Sequence, residues 1–96
     1  MIMKKIFVVS ESYQTNPSYE WNISIGKRAF TTWKRAEIYL NELIHSYEKG
    51  GYKVLRDEIY ITEEGYQRDV VFETPSLGGA SWKFLYRIER LKVNDD

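Results

Sequence analysis

Apolar and polar positions take turns along the start of this chain. Residues 4–12 set Ile6 and Val8 against Phe7 and Val9, a β-branched run that predicts a strand buried on at least one face. Gln14-Thr15-Asn16-Pro17-Ser18 reads as a turn. Tyr19, Trp21, Ile23 and Ile25 then alternate with Glu20, Asn22 and Ser24, the pattern of a half-buried strand that Gly26 should end. The period then changes. Trp33, Ala36, Tyr39, Leu40, Leu43, Ile44 and Tyr47 fall on one face of a helical wheel, opposite Lys34, Asn41, Glu42, His45, Glu48 and Lys49. Thr31-Thr32 supplies a hydroxyl cap in front, with Phe30 as a staple, and Gly50-Gly51 closes the helix behind.

Three strands should follow. Residues 52–62 carry Val54, Leu55, Ile59, Tyr60 and Ile61, with a bulge expected at Arg56-Asp57-Glu58. Glu63-Glu64-Gly65 turns the chain into a strand bearing Tyr66, Val70 and Phe72. After a Pro75–Ala80 loop, Trp82, Phe84, Tyr86 and Ile88 alternate with Lys83, Arg87 and Glu89, and residues 94–96 read as a frayed polar tail. The expected fold is a single α+β domain over residues 1–96, strand-strand-helix-strand-strand-strand. Its five strands form an antiparallel curved sheet with the helix on one face. The simplest strand order is 2-1-3-4-5, with a right-handed crossover through the helix.

That arrangement has a covering problem. Five strands make a sheet roughly 20–24 Å wide, whereas a helix is about 10–12 Å across. Aromatic stripes on strands two, four and five should therefore lie partly beyond the helix. Tight coiling of the sheet, a second copy of the chain, or another partner would each cover them.

Composition narrows the chemistry. Zero cysteine excludes a disulfide scaffold, a thiolate zinc site and cysteine catalysis, and a single histidine excludes a two-imidazole site. No cofactor or metal is expected. The apolar run Ile6–Val9 is shorter than the roughly seven residues of a signal-peptide core. No stretch approaches the roughly 18 apolar residues of a membrane span. A cytoplasmic protein without a membrane partner is the default expectation.

The formal net charge of zero hides two patches. Lys27, Arg28, Lys34 and Arg35 occur with no acid between Trp21 and Ala36, interleaved with Phe30 and Trp33. Basic and aromatic residues in alternation suit phosphates and stacked bases, which makes this segment the candidate nucleic-acid surface. Lys34 and Arg35 also stand in the first helical turn, where the macrodipole disfavours cations. The plain alternative is a solvated turn and helix start. Asp57, Glu58, Glu63 and Glu64 form the opposing acidic run. It lacks calcium-loop spacing and a nearby histidine, so a solvated turn is the simpler reading.

Protein contact has its own candidates. Ile38 stands among charged residues on the outer helix face, with His45 beside it, and Trp82, Phe84 and Tyr86 line the last strand. An apolar centre with a charged rim has the composition of an interface. Ser76–Ser81 lacks the lysine and following helix of a phosphate loop and reads as a hairpin tip.

The opening strand Lys5–Glu11, together with Phe30, Thr32, Ala36 and Tyr39, resembles a recurring type of small protein common in bacteriophages and mobile elements. There a strand, a variable loop and a second strand precede a helix entered by F-x-[ST]-x-x-x-A-x-x-[YF]. The resemblance covers the first half of the chain and implies context, not catalytic residues: such proteins often bind and block a host protein, defence complexes included. Two expectations follow. The first is a non-enzymatic binding protein acting through protein contacts, as an inhibitor of a host defence protein of the anti-CRISPR kind, with a host protein or a second copy as partner. The other is a nucleic-acid-binding module built on the basic segment.

Overall fold

A computed structural model of the chain describes residues 2–13, 23–63, 65–76, 78–79 and 81–95. In chain order the elements are β1 (Ile2–Tyr13), β2 (Ile23–Phe30), α1 (Trp33–Lys49), β3 (Lys53–Thr62), β4 (Gly65–Glu73) and β5 (Lys83–Asp95). The α+β class and the element order are those the sequence predicts. Tyr19 and Trp21, expected on the second strand, lie outside the described residues.

Helix α1 is closed at both ends by the residues that flank it. Thr32 is extended and its hydroxyl accepts from the Arg35 amide at 3.2 Å, satisfying a donor that the first turn would otherwise leave orphaned. At the far end Gly51 takes φ +88°, its amide donates to Glu48 at 3.1 Å, and the Tyr52 amide donates to the Tyr47 carbonyl at 3.1 Å. This is a Schellman closure, completed by the Tyr47 and Tyr52 rings packing with centroids 4.9 Å apart.

All neighbouring strands are antiparallel, in an open sheet of order β2-β1-β5-β4-β3. The expected 2-1-3-4-5 order is thus corrected: the β3–β4–β5 meander is placed the other way round, so that β5 lies against β1 and β3 forms the far edge. The reason is burial. β1 and β5 pair from Ile2↔Asp95 to Tyr13↔Phe84 and bring Val9 and Ile88, Phe84 and Tyr86 to the middle, whereas the Arg56-Asp57-Glu58 run of β3 suits an edge. Of the three expected tail residues, Asn94 and Asp95 pair with Met3 and Ile2, and Asp96 lies outside the described residues.

Two bulges shift expected boundaries. Gly26 does not end the second strand: β2 runs on to Phe30, and Lys27 is the extra residue between the pairs Val9↔Arg28 and Ser10↔Gly26. In β3 the extra residue is Leu55, between Val54↔Phe72 and Arg56↔Val71, one position before the expected site. At the β3–β4 hairpin Gly65 takes φ +124°, and a side chain there would meet the Arg90 guanidinium at 3.0 Å. The positive φ is what requires glycine, since the guanidinium is the far end of a flexible side chain and can give way.

Paired residues share a face of the sheet. Phe7, Val9, Phe30, Val54, Val70, Phe72, Phe84, Tyr86 and Ile88 all face α1 and enclose Ala36 and Leu40, with Trp33, Leu43, Ile44 and Tyr47 packed around them. Tyr47, Phe72, Phe84 and Tyr86 form a ring cluster with centroids 5.1–5.9 Å apart. Ser10, Ser12, Val71 and Leu85 make a second buried centre on the other face.

Candidate interaction surfaces

The strand order decides which aromatics remain available. Had β5 formed an edge, Phe84 and Tyr86 would have stood beyond the helix. Between β1 and β4 they lie beneath it, and both are buried. Their expected role as contact residues is therefore corrected: they are core. Trp82, Ile38 and His45 are exposed as a contact residue must be. They sit on different elements. Trp82 closes the 74–82 loop, its amide donating to the Thr74 hydroxyl at 2.9 Å, while Ile38 and His45 lie on α1.

What the helix leaves uncovered is the far edge. Ile59, Ile61 and Tyr66 are 56%, 83% and 59% exposed. Ile61 pairs with Tyr66, and Ile59 shares the same face two residues away, so the three make one apolar strip on the β3–β4 hairpin. Tyr66 continues it to Trp33 with centroids 6.3 Å apart. Ile59 and Ile61 are plain in the sequence as apolar strand residues, but only the strand order shows that they lie at the far edge.

At the opposite edge, β2 and α1 enclose a cleft of about 470 Å3 lined by Arg28, Phe30, Thr31, Arg35, Ile38 and Tyr39, with Ala29 and Glu42 at its margin. Arg28 and Phe30 pair with Val9 and Phe7 and so face the helix. The Arg28 guanidinium lies 5.5 Å from the ring centroids of both Phe30 and Tyr39, a double cation–π contact. Two of the four basic candidates, Arg28 and Arg35, thus share one cleft with Ile38. Lys34 is exposed on α1 outside the lining, and the Lys27 side chain lies outside the described residues.

The acidic run is partly spent on structure. Asp57 accepts from Arg68 Nε at 2.8 Å and Nη2 at 2.7 Å, while Arg68 Nη1 donates to Asn41 Oδ1 at 2.8 Å, tying α1 to the sheet. The bond to Asp57 pushes the Arg68 pKa up against the opposing effect of burial. Glu58 accepts from the Tyr60 hydroxyl at 2.6 Å; Glu63 is exposed, and Glu64 lies outside the described residues. On the other sheet face the buried Asp69 accepts from Arg87 Nε at 2.8 Å and Nη2 at 3.0 Å.

One polar group sits deep on the helix-facing side. Glu11 is buried, and its Oε2 accepts a hydrogen bond from the Tyr86 hydroxyl. The Tyr86 proton being committed there, Tyr47 donates to Tyr86 at 2.9 Å. Burial, then the bonds to Glu11 and Tyr47, push the Tyr86 phenol well above its ordinary pKa. Hydroxyls and a carboxylate so linked satisfy one another within the core. Among the described residues no cluster of three or more histidine, aspartate or glutamate side chains could hold a metal ion. No described helix is long and apolar enough to cross a membrane. Compared with known protein families, curated proteins and solved structures, the chain matches none.

Proposed function

We propose that this chain is a non-enzymatic binding protein that acts through protein contacts, its partner a host protein or a second copy. The observation that carries the reading is the strip of Ile59, Ile61 and Tyr66, large apolar side chains left exposed side by side on an open sheet edge. The buried ionisable groups support it from the other side. Glu11, Arg68 and Asp69 are each engaged by other side chains, which makes them parts of the scaffold. The cytoplasm is the setting of this reading, supported by a cysteine-free composition that needs no oxidising compartment. Its finer form, a phage- or element-borne inhibitor of a host defence protein, is supported by the resemblance in the first half of the chain alone.

The test uses the chain and its Ile59→Lys, Ile61→Lys double variant as baits on one lysate, beside sedimentation of each alone. A protein, or a second copy, held by the native chain and lost by the variant supports the reading. Equal retention by both baits removes the strip as the contact surface, and retention by neither with both monomeric overturns the reading.

A nucleic-acid-binding module is the second reading, favoured by the meeting of Arg28 and Arg35 in one cleft beside Phe30 and Tyr39. Phosphate-driven binding weakens steeply with salt, so titration from low to high salt measures it. Failure to bind single- or double-stranded nucleic acid at low salt removes this reading.

A further inference from the structure

The cleft between β2 and α1 combines three properties. First, β2 is an edge strand, so along Arg28–Phe30 one row of main-chain N–H and C=O groups faces away from β1. Second, the cleft beside that edge is concave and partly apolar, with Phe30, Ile38 and Tyr39 in its wall. Third, it holds two guanidinium groups, and among the described residues neither Arg28 nor Arg35 is in an ion pair. Glu42 is the one acid in the lining, which leaves the cleft net positive. Arg35 moreover occupies the first turn of a helix that has no acid there to balance the macrodipole.

We propose that this cleft is a docking groove for an extended acidic segment of a partner protein. The segment adds to β2 as a sixth strand, sets a carboxylate against Arg28 and Arg35, and lays an apolar side chain on Phe30, Ile38 and Tyr39. The spacing follows from strand geometry. Arg28 and Phe30 are two residues apart and face the same side, so the acidic and apolar residues of the segment are also two apart. A peptide fits these features better than a nucleic acid. Only a peptide can pair with the outer row of β2, which no described strand occupies. The Arg28 guanidinium already lies against the rings of Phe30 and Tyr39, which takes up the surface on which a base would stack. The proposal adds a second surface to the protein-contact reading and does not depend on the β3–β4 strip.

The test is titration of the isotope-labelled full chain, followed by amide shifts. The probes are capped six-residue peptides of threonine and valine carrying one glutamate and one phenylalanine two positions apart, in both orders. The same peptides with lysine in place of glutamate, and a twelve-nucleotide single strand, complete the set. The expected result is shifts concentrated at residues 28–31 and 35–42 with at least one glutamate peptide, and binding about tenfold weaker with its lysine counterpart. Arg35→Gln, on an exposed helix position, keeps the fold and should weaken the glutamate peptide about threefold to tenfold. Arg28→Gln should do at least as much; if it fails to fold, the Arg35 variant still decides. No shifts at millimolar peptide, shifts elsewhere, equal binding of the lysine peptide, no effect of Arg35→Gln, or occupation of the cleft by the oligonucleotide in place of the peptide would each overturn the proposal. None of these outcomes bears on retention through Ile59 and Ile61.

Discussion

A carboxylate in a core must be matched by donors, and Glu11 shows how one side chain can make that match and report on it. Removing the Tyr86 hydroxyl takes a charge-assisted bond from Glu11 and an acceptor from Tyr47. Tyr86→Phe should therefore cost about 2 kcal/mol in urea unfolding, at the upper end for a hydrogen bond because the acceptor is charged and buried. The same residue gives a pH signature. Its phenol is pushed up in the folded chain, while the unfolded value is about 10. Below pH 10 the proton is bound in both states and the contribution is fully present. Above it the unfolded state loses the proton first, and stability falls by about 1.4 kcal/mol per pH unit. Between pH 9 and pH 11 the native chain should accordingly lose about 1.4 kcal/mol of its advantage over Tyr86→Phe. A difference that stays constant over that interval would show that the phenol is not held protonated by the fold.

At the scale of elements, α1 was fully legible because everything that defines it is local. Its cap, its apolar stripe and its closing glycines lie within residues 31–52, and the structure uses Thr32 and Gly51 for those purposes. The strands were legible as strands, less so at their limits. Gly26 looked like a stop and is instead beside a bulge at Lys27, since glycine serves both purposes and only the pairing partner distinguishes them. The end of β5 is hidden in the sequence by a run of charges, its partner residues of β1 lying 83 to 93 positions upstream, from Phe7↔Arg90 to Ile2↔Asp95. The helix also yields a prediction. Arg35 is the third residue after the cap, the position from which a glutamate would reach back to the Thr32 amide. Arg35→Glu should raise the thermal midpoint by about 3–5 °C, from roughly 0.5–1 kcal/mol of capping and dipole energy. It should also abolish binding of the glutamate peptide. A variant that is both less stable and still binds would contradict the account of that residue on both counts.

For the whole molecule, the consequential feature is one that local pattern does not encode. Which strand pairs with β1 depends on contacts across most of the chain; the Arg56-Asp57-Glu58 run suits β3 to an edge but does not name the strand that takes its place beside β1. Exchanging the places of β3 and β5 moves Phe84 and Tyr86 from an edge to the centre and leaves Ile59 and Ile61 at the rim. The covering problem was thus real but fell on different residues, Ile59, Ile61 and Tyr66. This partition can be measured as a contrast in stability. Phe84→Ala empties a site that touches Tyr47, Phe72 and Tyr86, and should cost about 3–5 kcal/mol, much of the 5–15 kcal/mol that holds a domain of this size. Ile59→Lys with Ile61→Lys changes two larger exposures and should shift stability by less than about 1 kcal/mol. Chemical denaturation of the three proteins side by side decides the matter. Were the double lysine variant to lose as much stability as Phe84→Ala, the isoleucines would belong to the core, and the case for a contact strip on the β3–β4 edge would fall with them.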